Sequence, residues 1–101
     1  MVMEVTNIND ISTGCVLVDF YTSSCMPCKM LNPVLEEISD RYKGLKVAKV
    51  EVTKNPDASQ RFGVMSVPTV MLLQDAKVKE VTYGFSGKSN IVSMIEKHYA
   101  E

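Results

Sequence analysis

The run Cys15-Val16-Leu17-Val18-Asp19-Phe20-Tyr21 sets the tightest limit on what this chain can fold into. Its residues favour extended backbone and only Asp19 interrupts their apolar character, the composition of a strand covered on both faces. Such a strand needs a layer above it and a layer below it. The next segment supplies one. Leu31, Val34, Leu35, Ile38 and Tyr42 recur at the i, i+3, i+4, i+7, i+11 spacing of an amphipathic helix. Glu36, Glu37, Asp40, Arg41 and Lys43 fill its wet side, and Gly44 is a natural stop. Pro33 lies inside the stripe and lacks a backbone donor, so a kink is expected there.

The rest of the chain continues the alternation. Met3-Glu4-Val5 reads as a short opening strand, and Thr6 or Asn7 as the cap of a short helix through Ile8 and Ile11 that ends at Gly14. Leu45 to Val52 alternates apolar and polar residues, as a strand does. At Asn55-Pro56 a helix begins, with Asn55 accepting from first-turn amides and Pro56 losing nothing at the first helical position. It runs through Phe62 and stops at Gly63. Val67 to Leu73 is a buried strand opened by proline, and a three-residue turn, Gln74-Asp75-Ala76, leads into a strand over Lys77 to Tyr83. Ser86 is placed to cap a last helix carrying Ile91, Val92, Ile95 and Tyr99 on one face.

The resulting order is β-α-β-α-β-α-β-β-α. Helices between the early strands favour right-handed parallel crossovers, whereas the short turn near Asp75 demands an antiparallel hairpin. The expected class is α/β, a mixed central sheet with helices on both faces, in one domain over residues 1–101. Composition agrees: 46 % hydrophobic and 23 % charged residues are those of an ordinary globular domain. Eleven Lys and Arg against 12 Asp and Glu leave a net charge of −1, no basis for holding nucleic acid or an anionic membrane. No stretch approaches the roughly 20 apolar residues of a membrane span. Met1 to Val5 lacks a basic region followed by an apolar one, so no signal peptide is expected and a cytoplasmic location is the default.

The chemistry lies between the apolar strand and the helix, at Cys25-Met26-Pro27-Cys28. A helix N-terminus presents unpaired N–H groups and about half a positive charge, which favour a thiolate. Cys25 is placed there as an exposed nucleophile, and Cys28, three residues on, comes within sulfur reach of it. Pro27 suits the first turn and stiffens the link. The reaction this predicts is attack of the Cys25 thiolate on a partner disulfide, followed by attack of Cys28 on Cys25 to release the reduced partner. Half of a zinc site is the alternative reading of a C-x-x-C. Its remaining ligands would have to be Cys15 and His98, with no second cysteine or histidine cluster to supply more. A strand, then C-x-x-C, then a helix is the redox context, so no metal or other cofactor is expected.

Val18-Asp19-Phe20-Tyr21-Thr22-Ser23-Ser24-Cys25-Met26-Pro27-Cys28-Lys29-Met30 resembles the active-site segment of thioredoxins, and the similarity extends over essentially the whole chain. Pro33, Val47-Ala48-Lys49-Val50, Gly63-Val64-Met65-Ser66-Val67-Pro68-Thr69 and Gly84 match further family positions. The resemblance implies the thioredoxin fold. It also implies roles that spacing cannot assign: Asp19 as a buried carboxylate that helps deprotonate Cys28, and Lys49 as its charged neighbour. Pro68 would be cis and face the cysteines, Val67 would offer backbone hydrogen bonds to an extended substrate, and Gly84 would line the substrate groove together with Ser24, Met26 and Pro27. From the residues alone, Val67-Pro68 is only a strand start, Lys49 a solvated strand lysine, and Asp19 either a costly buried carboxylate or a strand-end residue facing solvent. The implied partners are a thioredoxin reductase and disulfide-containing proteins, met by a monomer.

The chain departs from the family pattern in having Met26 where most members have glycine, and Ser24 and Tyr21 where they have tryptophan; it contains no Trp. These changes bear on reduction potential and partner choice, not on the dithiol chemistry. They leave three functions in competition: a general reductant of protein disulfides, a more oxidising or partner-dedicated relative, and a binding module without redox turnover. Cys15 reads as a buried small hydrophobe and His98 as a solvated helix-end residue. Gly87-Lys88-Ser89 is no phosphate loop, because Thr82 stands where the first glycine is required.

Overall fold

The computed structural model describes residues 1–99. Its strands β1 (Val2–Glu4), β2 (Cys15–Tyr21), β3 (Lys46–Glu51), β4 (Thr69–Gln74) and β5 (Lys77–Tyr83) form one sheet in the order β1-β3-β2-β4-β5. The apolar run is therefore the central strand. β3 pairs parallel with both β1 and β2, while β4 lies antiparallel to β2 and to β5. Helices α1 (Met26–Arg41), α2 (Pro56–Arg61) and α3 (Lys88–His98) connect or follow the strands.

Alternation along β2 divides its side chains between two cores. Leu17 packs with Leu31, Leu35 and Ile38 of α1 and with Ile91, Met94 and Ile95 of α3. Val16, Val18 and Phe20 face the other way, against Ile11, Ala58 and the inner residues of β3 and β4. Helices thus cover both faces, α1 and α3 on one and α2 on the other. The expected stripe of α1 is the buried one, with Val34 at its margin. α1 continues past Pro33, which removes the bond to the Lys29 carbonyl without ending the helix.

Several local expectations are corrected. The short helix through Ile8 and Ile11 is present and capped by Asn7 as expected, its Oδ1 accepting from the Asn9 N–H at 2.9 Å, but it is 3₁₀ and stops at Ser12 rather than Gly14. Asn55 does not cap α2 with its side chain. Its Nδ2 donates instead to the Glu51 carbonyl at 2.9 Å, tying the helix start to the end of β3. Gly87, not Ser86, is the cap residue of α3, and the Ser86 hydroxyl accepts from Asn90 Nδ2. Tyr99 terminates that helix and packs edge-on against Tyr42. The β4–β5 loop has two residues, Asp75 and Ala76, both at positive φ, because β4 extends through Gln74.

The helix between β3 and β4 does not produce a parallel crossover. β4 begins beside the end of β2, with Thr69 opposite Phe20, so the chain re-enters the sheet at the end where β3 left it. α2 is only six residues long and need not cross the sheet. The consequence for the site is direct: the loop after β2, with Cys25, and the loop before β4, with Pro68, share one end of the sheet.

Because Leu35 is fully buried between α1 and the sheet, Leu35→Ala is expected to cost about 2–5 kcal/mol in urea unfolding of the oxidised protein. The neighbouring Glu36→Ala, on the exposed side of the same helix, is expected to stay within about 0.5 kcal/mol of the parent.

Candidate active site

β2 ends at Tyr21, and four residues later the chain enters α1 with Cys25 as its cap residue. The cap is a sulfur one: the Cys28 N–H donates to Cys25 Sγ at 3.3 Å, occupying a helix-end donor that would otherwise lack a partner. Pro27 stands in the first turn, where its missing N–H is not needed. Cys25 and Cys28 are joined as a disulfide with their Cα atoms 5.3 Å apart. Cys25 is half-buried and Cys28 is buried, so an incoming partner meets Cys25 first. A thiolate at Cys25 lies on the axis of a 16-residue helix, at the end whose dipole favours negative charge.

Asp19 is 0 % exposed, which removes the reading of a strand-end residue in solvent. Alternation places it on the face that α1 covers, the same face as Leu17. Neither of its carboxyl oxygens has a hydrogen-bond partner among the described residues. Burial raises its pKa from an ordinary 3.8 to about 7; the Lys49 charge opposes that rise and Glu4 adds to it. The carboxyl therefore changes protonation state near neutral pH, as a group exchanging protons with a thiol must.

Lys49 is the register neighbour of Asp19 across the parallel β2–β3 pair. Its ammonium nevertheless goes elsewhere. Nζ donates to Asn32 Oδ1 at 2.7 Å and lies 4.2 Å from the centre of the Tyr21 ring. The Tyr21 hydroxyl donates to Glu4 Oε2 at 2.7 Å, and burial together with that bond pushes its pKa up. A small cleft of about 160 Å³ joins Tyr21, Asn32 and Lys49 to Cys28. Asn32, Tyr21 in this role, and Glu4 were not identified from sequence. The usable signals were spacings: Asn32 stands four residues after Cys28 on one helix face, Tyr21 two after Asp19 on one sheet face, and Glu4 beside Lys49 in register.

The loop before β4 brings a second set of expected residues to the same end. The Val67–Pro68 peptide is cis. The Pro68 carbonyl accepts from the Gly84 N–H at 2.8 Å, and Gly84 has φ +73°, a conformation that favours glycine. The Thr69 hydroxyl donates to the Ser66 carbonyl at 2.6 Å and shapes the turn. Val67 is half-buried, beside a shallow cleft shared with Thr22, Val52, Val64 and Met65. Ser24 is exposed, as are Met26 (66 %) and Met30 (58 %) near the cysteines in the chain and Met65 (96 %) in the loop before β4.

The two residues that might have completed a zinc site lie apart from the cysteine pair. Cys15 opens β2 at the opposite end of that strand, half-buried, with burial raising its thiol pKa. His98 closes α3 and shares a 2.9 Å contact with Glu80 Oε1 on β5, so it is partnered rather than merely solvated. No three His, Cys, Asp or Glu side chains among the described residues are grouped to hold a metal ion. No helix among them is long and apolar enough to cross a membrane.

Asp19 gives stability a pH dependence whose sign is fixed. Its folded pKa lies above its unfolded one, so between about 4 and about 7 the folded state holds a proton that the unfolded state has released. Stability is then expected to fall across that window, by up to about 4 kcal/mol, and to level off above it. Chemical denaturation at pH 4.5, 6, 7 and 8 checks this; Asp19→Asn is expected to flatten the slope and to be the more stable protein at pH 8.

The comparisons with known proteins agree with this geometry. The Thioredoxin family profile matches residues 4–97. A thioredoxin of Staphylococcus saprophyticus is 40 % identical over 101 residues, covering 96 % of this chain and 97 % of that protein. One from Bacillus subtilis is 43 % identical over 89 residues, covering 86 % of this chain and 85 % of that protein. Among solved structures, a mutant thioredoxin from Halobacterium salinarum superposes with a TM-score of 0.90 at 28 % identity, over 99 % of this chain and 92 % of that one. A thioredoxin from Nicotiana alata gives 0.85 at 31 % identity, over 96 % and 91 %. With its cysteine pair at the strand–helix junction of this same fold, the chain belongs to the thioredoxin family of protein-disulfide oxidoreductases.

Proposed function

We propose that the protein is a cytoplasmic, monomeric dithiol carrier that reduces disulfides in other proteins and is recharged by a separate thioredoxin reductase. The observation that carries this reading is the unequal placement of the two sulfurs: Cys25 accessible at the mouth of α1, Cys28 buried one turn behind it. In the reduced form the Cys25 thiolate attacks one sulfur of a partner disulfide, and the other leaves as thiolate. Cys28 then loses its proton to Asp19 and attacks Cys25. The mixed disulfide breaks, the partner departs as a dithiol, and Cys25–Cys28 is left oxidised. Two electrons move from this chain to the partner.

Recognition in this proposal uses the rim at the same end of the sheet. No hydrogen bond among the described residues engages the backbone of Val67, so its amide and carbonyl are open to an extended substrate segment, as in strand addition. This reading assigns Pro68 and Gly84 to the substrate contact beside it, and Ser24, Met26 and Pro27 to the contact at the mouth of α1. Lys49 acts within the site by moderating the charge of Asp19. The exposed Met26 favours a second reading, a carrier dedicated to a narrower set of partners. Its flexible thioether presents a soft apolar surface beside the nucleophile, where most family members have only glycine.

Titration of the purified protein across thiol/disulfide buffers, counting alkylated Cys25 and Cys28 by mass, tests the proposal. A reversible two-electron transition below the cytosolic glutathione poise is expected. A much higher midpoint would favour the oxidising alternative, and no transition a binding module. Cys28→Ser is expected to accumulate mixed disulfides with substrate proteins, whereas Cys25→Ser forms none. Asp19→Asn should slow release of the partner from the mixed disulfide by roughly 10²-fold near pH 7 while sparing its formation, read by stopped-flow single turnover.

A further inference from the structure

Strand geometry alone would let Lys49 close on Asp19. They are register partners on adjacent strands, about 4.8 Å apart in the hydrogen-bonding direction, and a lysine stem is longer than that gap. A buried carboxyl with no hydrogen-bond partner is a strong attractor for an ammonium. No ion pair between them forms among the described residues. Lys49 Nζ is instead held by two contacts, the Asn32 side-chain carbonyl at 2.7 Å and the Tyr21 ring at 4.2 Å. Tyr21 is itself anchored through its hydroxyl to Glu4. The chain Glu4–Tyr21–Lys49–Asn32 thus runs from β1 across β2 and β3 to α1, beside the cleft that reaches Cys28.

We propose that Asn32 is a positioning residue for the dithiol reaction, its side-chain carbonyl holding the Lys49 ammonium over the Tyr21 ring and off Asp19, so that the carboxyl stays free to take the Cys28 proton. This rests on the reading of Asp19 as the base for Cys28. The alternative arrangement is chemically different. An ammonium in direct contact lowers a carboxyl by about 1–3 pKa units, leaving it ionised but too weak a base to draw a proton from a thiol near neutral pH. Asn32 suits the holding role because it is neutral: it offers Lys49 an acceptor without adding a negative charge beside Asp19. The other charged or titratable groups on this side are Glu4 of β1, Tyr21 of β2, Glu51 of β3, and Cys28, Lys29 and Glu36 of α1, the last two lining the clefts that Asn32 and Lys49 share. β4 and α3 contribute the apolar Val70, Leu72, Ile91, Met94 and Ile95.

The test is an NMR titration of the Asp19 carboxyl in the oxidised full chain. Asn32 is half-buried on a helix, where alanine is the most favourable residue, so Asn32→Ala retains the fold. That variant is expected to lower the Asp19 midpoint by about one unit or more, and to move the pH profile of mixed-disulfide resolution down with it. In a Lys49→Met background the same replacement is expected to leave the midpoint in place, because no ammonium remains to be released. An unmoved midpoint in the Lys49 protein, or an equal shift in both backgrounds, overturns the proposal. If Asn32→Ala lowers the midpoint only when Lys49 is present, yet Asp19→Asn resolves mixed disulfides as fast as the parent, Asn32 does hold Lys49 but Asp19 is not the base.

Discussion

A carboxyl group in the middle of a strand that is covered on both faces and hydrogen-bonded along both edges is the constraint around which this site is arranged. β2 has β3 on one side and β4 on the other, and Asp19 occupies its register with Lys49 and Val70. No surface position is available to it without breaking the central ladder. The cost of ionising it there falls on stability, and the result is a carboxyl that titrates near neutral pH. The surrounding residues then have to keep that group usable. In the role proposed for Asp19, direct pairing with Lys49 would disable the base; the ammonium is instead near enough to moderate the field of Asp19 while Asn32 and the Tyr21 ring satisfy it.

The second element that depends on β2 is the helix start. A buried strand that runs directly into a helix delivers the first turn of α1 to the end of the sheet, and the cap position there falls on Cys25. Cys28 follows as the first buried side chain of the helix, before Leu31, Leu35 and Ile38. The same periodicity that builds the core therefore sorts the two sulfurs into a half-buried one at the mouth of the helix and a buried one behind it. The short return through α2 adds the third element, since it brings Pro68 and Thr69 back to the end where β2 finishes instead of carrying the chain across the sheet.

Much of this was legible in the residues because the signals are local. The apolar run, the helical stripe from Leu31 to Tyr42 and the C-x-x-C between them each depend on a few neighbouring side chains. Their consequences, a central strand and a cysteine-capped helix, follow from backbone hydrogen bonding alone. What was misread is also instructive. Asn55 and Ser86 have the chemistry of caps, but other partners four residues away take their side chains: Asn55 donates to the Glu51 carbonyl, and Ser86 accepts from the side-chain amide of Asn90. The direction of β4 was not readable from α2, because a six-residue helix is compatible with a crossover or a return. Asn32 was invisible for a different reason. On a helix, an asparagine before a proline looks like a surface residue, and its meaning appears only when β3 places Lys49 opposite it.

The departures at Ser24 and Met26 belong to the rim rather than to this machinery. Neither touches the chain of contacts from Glu4 to Asn32, and both are exposed. Tyr21 belongs to both: it stands where most family members carry tryptophan, and here its ring seats Lys49 while its hydroxyl reaches Glu4. A tryptophan at that position would offer the ammonium a stronger π face but no hydroxyl to reach a carboxylate acceptor. Tyr21 and Asn32 therefore form one solution to the problem that Asp19 creates. The ring supplies a seat that needs no counter-charge, the amide carbonyl supplies a neutral acceptor, and between them the lysine is satisfied while the carboxyl is left alone.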